Sequence, residues 1–197
     1  CSIGRRGDLG GVPRRSGPVQ PARSGGQGLT RLAARQRPGK TVPMSEPATT
    51  RLFLPDEAAT DALGERIAPL LRGGDTLLLH GPIGAGKSHL ARALIRARLG
   101  RMEDIPSPTF TLVQTYDDDP DIWHADLYRL NHPDEVSELG LDEAFAQCIC
   151  IVEWPDRLGR HLPADALHIR LSASGDGRRA ELSGGRAGLL AAIGNGA

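Results

Sequence analysis

Thr76-Leu77-Leu78-Leu79-His80 runs straight into Gly81-Pro82-Ile83-Gly84-Ala85-Gly86-Lys87-Ser88, and this stretch decides how the chain is read. The second part matches G-x-x-x-x-G-K-[ST] at every fixed position. Each fixed residue has a separate physical reason. Gly81, Gly84 and Gly86 let the backbone take positive φ and turn its N–H groups inward around a phosphate. Ala85 lies between them on the same backbone cradle. Lys87 reaches toward β- and γ-phosphates, and the Ser88 hydroxyl is a ligand for Mg²⁺. The apolar run before the glycines reads as a buried parallel strand. From Lys87 to Leu99 the chain reads as a helix stopped by Gly100, with its positive end at the same anion. Composition supports the reading. The chain holds 22 Arg but only two Lys, Lys40 and Lys87, so its one lysine after residue 43 stands where a compact ammonium is wanted.

Upstream, Leu52-Phe53-Leu54 is a short apolar strand, and Pro55-Asp56-Glu57 opens a helix with acids in its first turn. Ala58, Ala59, Ala62, Leu63, Ile67, Leu70 and Leu71 keep helical spacing to about Arg72, where Gly73-Gly74 ends it. Downstream, Phe110–Tyr116, Ile122–Asp126, Cys148–Val152 and Leu167–Leu171 read as strands, and about Ala187–Ile193 as a closing helix. Strands alternating with helices predict an α/β fold of the phosphate-loop NTPase kind, a mostly parallel sheet flanked by helices in a single domain.

The 197 residues carry 24 Lys+Arg against 24 Asp+Glu, with 39 % hydrophobic and 4 % aromatic residues. No apolar run approaches the ~18–20 residues that span a bilayer, and no apolar core of a signal peptide opens the chain. Cys1, Cys148 and Cys150 make neither a disulfide framework nor a CxxC metal site. A reducing, cytoplasmic setting is the resulting expectation, without a membrane. The zero net charge is unevenly spread. Residues 1–43 hold eight Arg and one Lys against Asp8 alone, leaving 15 basic against 23 acidic residues in the remainder. With nine Gly, five Pro and no aromatic residue, residues 1–43 are expected to be a disordered basic extension. Met44 is an alternative start, which would make that extension upstream sequence. Residues 44–197 are then the nucleotide-binding domain.

A nucleoside triphosphate site also needs a carboxylate at the end of a neighbouring strand. Glu153 ends the run Cys148-Ile149-Cys150-Ile151-Val152, and Asp126 ends Ile122-Trp123-His124-Ala125. Open α/β sheets bind ligands beyond the carboxyl ends of their strands, so both acids are candidates. Glu153 is favoured as the direct metal ligand and Asp126 as an outer or water-positioning group. Ser107-Pro108-Thr109-Phe110-Thr111, between loop and acids, is either a segment sensing the γ-phosphate or an ordinary proline turn. His124 reads as a structural histidine in preference to a base. Cys148 and Cys150, two apart on a strand, read as small core residues.

Taken in order, GPIGAGKS, SPTFTLVQTY, HADLYRL, ELGLDEAF and IVEWPDRLG resemble the TsaE family, bacterial ATPases of tRNA threonylcarbamoyladenosine biosynthesis. The resemblance runs from about Leu54 to about Leu182. It implies an ATPase that uses ATP and Mg²⁺ and acts with a TsaB–TsaD pair. That pair transfers a threonylcarbamoyl group to the adenosine beside the anticodon of tRNAs reading codons that start with A. The family member hydrolyses ATP to reset or activate its partners and does not make the threonylcarbamoyl bond. By matching position, the resemblance implies Gly84 to His89 around the phosphates, and Ser88 and Glu153 on Mg²⁺. It also implies Thr109 in a switch-like segment, Asp126 as the acid of DLYR, Trp154 close to the nucleotide and Glu57 near base or ribose. Arg178 or Arg179, after Gly177, is implied at the phosphates. Direct contact with tRNA stays open, since the part after residue 43 is acidic. Pro82 stands where the family has an acid, Ser88 where Thr is common, and Ala125 where a bulky residue is usual; none removes a needed chemical group.

Three other readings share the loop. A small kinase of a nucleoside or metabolite needs an acceptor pocket and usually an arginine lid, for which Arg157, Arg160, Arg178 and Arg179 are available. A GTPase commonly carries [NT]-K-x-D, and neither lysine sits in one, so adenine is preferred. A non-enzymatic module would use nucleotide only to lock an interaction surface.

Overall fold

The computed structural model describes residues 48–101 and 104–194. The basic extension expected over residues 1–43, with Cys1, lies outside the described residues.

Along β1 (Thr49–Leu54) exposed and half-buried positions alternate, and its last residue, Leu54, is buried. Asp56 then caps α1 (Glu57–Ile67), its carboxylate accepting the Ala59 N–H at 2.8 Å. A 3-10 turn, Ala68–Leu70, finishes the helical stretch short of Arg72. β2 (Thr76–His80) is buried along its whole length. α2 (Lys87–Leu99) leaves the glycine loop and ends at left-handed Gly100, whose N–H returns to the Arg96 carbonyl at 3.0 Å. There follow β3 (Val113–Tyr116), β4 (Ile122–Asp126), α3 (Glu135–Glu138), α4 (Leu141–Gln147) and β5 (Ile149–Glu153). β6 (Leu167–Ser174), β7 (Gly177–Gly184) and α5 (Leu189–Gly194) complete the fold.

The strands form one sheet in the order β1-β7-β6-β2-β5-β4-β3. β6, β2, β5 and β4 pair in parallel, while β1–β7, β7–β6 and β4–β3 pair antiparallel. The expected parallel sheet is therefore the centre of a mixed one. Leu77 and Leu79 face α1 and α2, packing with Leu63, Ile67, Leu90 and Leu94. Leu78 faces the opposite side with Ala125, Val152, Leu141 and Leu158. All three leucines have 0 % exposure, and burying each is worth about 2 kcal/mol. That continuous burial explains the unalternated Leu-Leu-Leu run.

Register sets up the site. Leu79 pairs with Glu153, and Glu153 with Asp126, so three parallel strands end in one row beside the glycine loop. Three details depart from the expected elements. Phe110–Leu112 turn instead of joining β3, because Leu112 takes a left-handed φ of 63°. Cys148 is half-buried at the end of α4, and only Cys150 is fully buried on β5. β7 is a full strand where the sequence signalled only a glycine followed by arginines.

Candidate functional site

Between β2 and α2 the backbone turns on left-handed glycines. Gly86 sits at φ 99° as the residue before α2, and an added Cβ would lie 3.1 Å from the Arg178 Nε. Gly81 has φ 143°, and a Cβ there would collide with the Leu171 carbonyl oxygen of β6. Only glycine fits either position.

Lys87 opens α2 and is 5 % exposed. Its ammonium donates to the Gly81 and Pro82 carbonyls, each at 2.9 Å, and lies 3.9 Å from the centroid of the Trp154 ring. Burial pushes the ammonium below the ordinary lysine range, while the Glu153 and Asp126 carboxylates push it back up. An ammonium has three N–H donors, so the loop carbonyls use two and leave one for an oxygen in the loop's mouth.

Ser88 Oγ donates to Glu153 Oε2 at 2.7 Å, joining the start of α2 to the end of β5. The other carboxylate oxygen, Oε1, is 3.0 Å from His124 Nε2 on β4. Asp126, 5 % exposed, gathers the segment from Ser107 to Leu112 around itself. Thr109 Oγ1 donates to Asp126 Oδ2 at 2.9 Å, and Ser107 Oγ lies 3.0 Å from Thr109 Oγ1. The Asp126 N–H donates to the Leu112 carbonyl at 2.9 Å, so the left-handed turn at Leu112 closes on the acid it surrounds.

Two further features were not singled out by sequence reasoning. Tyr128 donates its backbone N–H to Asp126 Oδ1 at 3.1 Å, and its ring packs 5.0 Å from that of Trp154. Its place two residues after Asp126 in DLYRL was the available signal. Trp154 itself has φ 59°, a left-handed conformation that costs about 1–3 kcal/mol in a bulky residue and turns its ring toward Lys87.

Among the remaining expected residues, Arg178 lies over Gly86 and lines a recess of about 150 Å³ with Gly84, Ala85, Ala173, Asp176 and Gly177. Arg179, next along β7, is exposed. Strand alternation thus brings Arg178 to the loop. His89 stays beside the loop in sequence, but its ring turns to α1, with Nε2 2.8 Å from Asp61 Oδ1. Glu57 is exposed in the first turn of α1. It follows Pro55, which closely abuts Gly177.

Hard oxygen donors at a shared point suit Mg²⁺, and the 2.7 Å pairing of Ser88 with Glu153 supplies a hydroxyl and a carboxylate there. Among the described residues no cluster of three His, Cys, Asp or Glu forms a metal cage.

Residues 54–180 match the family model described as "Threonylcarbamoyl adenosine biosynthesis protein TsaE". The chain belongs to the TsaE family. A TsaE from Rickettsia bellii is 34 % identical over 131 residues, covering 66 % of this chain and 91 % of the relative. One from Bacillus subtilis is 37 % identical over 131 residues, covering 66 % of this chain and 80 % of the relative. The crystal structure of Bacillus subtilis YdiB superposes with a TM-score of 0.65 at 26 % identity, covering 77 % of this chain and 97 % of that one. Strands β2 to β6 fall wholly inside the matched span, which takes in only Leu54 of β1 and the first half of β7.

Proposed function

We propose that this TsaE binds and hydrolyses Mg-ATP, and that hydrolysis supports a TsaB–TsaD heterodimer in forming threonylcarbamoyladenosine beside the anticodon of tRNAs reading codons that start with A. Family membership supports the pathway, and the names of its relatives carry it. The observation that carries the ATPase chemistry is the joining of Ser88 to Glu153 at 2.7 Å, with Lys87 held by the loop's own carbonyls.

The backbone N–H groups of residues 84–89 bind the phosphates at the positive end of α2. Lys87 and Arg178 supply cationic hydrogen bonds to the phosphates. Ser88 and Glu153 hold Mg²⁺, which when bound neutralises charge developing on the β- and γ-phosphates. Thr109 and Asp126 sit together across from Glu153 and orient the attacking water; their shared hydrogen bond makes the Ser107–Leu112 turn responsive to the γ-phosphate. Trp154 packs the nucleotide side of the loop, and Glu57 meets base or ribose. Hydrolysis by the protein alone is expected to be slow and to rise with its partners.

A cytoplasmic setting is part of the proposal. Among the described residues no helix is long and apolar enough to cross a membrane. Reconstituted tRNA modification with TsaB, TsaD and substrate tRNA tests the whole reading. Modification should continue over many turnovers with this chain and stall early without it, and ATP hydrolysis should rise when the heterodimer is added. Equal modification and equal hydrolysis in all arms would overturn it.

A further inference from the structure

His124 stands at the centre of β4 with 0 % exposure, too deep to touch any substrate. Its Nε2 lies 3.0 Å from Glu153 Oε1, while its Nδ1 is buried with no hydrogen-bond partner among the described residues. A buried histidine retained for packing normally satisfies both ring nitrogens. Here one is left bare and the other is spent on a single carboxylate oxygen. A carboxylate only accepts, so Nε2 carries the proton and donates. Glu153 is itself 1 % exposed and is anchored at both oxygens, by Ser88 on one side and His124 on the other. With Ser88 alone the carboxylate could swing about its terminal bond; with both anchors it cannot.

We propose that His124 is a positioning residue that locks the rotamer of Glu153, so that Oε2 faces Ser88 and the incoming Mg²⁺. The inference rests on the Mg-ATP reading above and adds a residue behind the metal-binding carboxylate. Groups that orient metal ligands typically carry 10–100-fold in metal affinity.

The test is calorimetric titration of ADP and ATP into the full chain across a Mg²⁺ series, with melting temperature recorded for every variant. For His124→Leu, the Mg²⁺ concentration that half-saturates nucleotide binding should rise by about 10-fold or more, while metal-free nucleotide affinity is unchanged. His124→Gln, which can return an N–H near the Nε2 position, should recover most of the Mg²⁺ response even if its melting temperature stays low. Folded His124→Leu with the wild-type Mg²⁺ dependence overturns the positioning role. So does a His124→Gln protein that is folded but no better than His124→Leu. If the wild-type chain shows no Mg²⁺-dependent nucleotide binding, the Mg-ATP reading fails first.

Discussion

At the scale of single residues, buried ionisable groups show how the site and its support differ. Lys87 is buried yet hydrogen-bonded to two carbonyls, so its charge is retained and directed. His80, the residue before the loop, is treated otherwise. Burial pushes its imidazole down to about 4, with Arg170 and His168 adding to the shift and Asp156 opposing it. Its ring stacks on His168 at 5.2 Å, with Nε2 3.0 Å from His168 Nδ1. His80 is therefore neutral in the fold, whereas the unfolded chain takes up its proton near the ordinary value of 6.5. Stability is full above that value, falls as the pH drops through it, and stops falling near 4. Allowing for solvent at the ring edge, the loss over this window is about 2 kcal/mol. Urea melts at stepped pH should show this slope in the wild type and a flatter one in His80→Asn; identical slopes would contradict the assignment.

At the scale of elements, the glycine loop makes a graded prediction. At Gly81 a methyl group meets backbone of β6, which cannot yield, whereas around Gly84 nothing lies within 4 Å. Gly84→Ala should cost roughly 1–2 kcal/mol from its left-handed φ of 78° alone. Gly81→Ala should cost roughly 3 kcal/mol or more and weaken nucleotide binding, because the loop must shift. Chemical denaturation of both variants checks the order. The β2–loop–α2 unit was legible in the sequence because its signals are local: an apolar run, glycines at fixed spacing, a helix and a stop. Strand-end acids were legible for the same reason. β7 was not, since Gly177-Arg178-Arg179-Ala180-Glu181 carries weak strand preference and is made a strand by pairing with β1 and β6. The choice of Arg178 over Arg179 depends on that pairing. The direction of the His89 ring likewise depends on Asp61, 28 residues earlier on another helix.

At the scale of the whole molecule, function and stability are held at opposite ends of β2. The loop leaves its carboxyl end, while Asp75 precedes its amino end and is 6 % exposed. Asp75 accepts from the Arg186 guanidinium at 3.1 Å and from the Arg72 N–H at 2.9 Å, and Arg186 also donates to the Leu70 carbonyl at 2.6 Å. This cluster ties the chain after β7 to the turn before β2. Asp75→Ala should destabilise the fold by about 3 kcal/mol, through the stranded Arg186 guanidinium and Arg72 N–H, with nucleotide affinity unchanged. Thermal melts and a nucleotide titration together separate the two effects; a large affinity loss would contradict the division. The division matters because the entire functional reading depends on one end of the sheet. Isothermal titration of ATP with Mg²⁺ into the purified chain addresses that end directly. The account predicts saturable heat at one nucleotide per chain, with affinity lost by roughly 10–100-fold in Lys87→Ala while the fold persists. Absence of heat in the folded wild type, or a Lys87→Ala protein that binds as tightly, would contradict it.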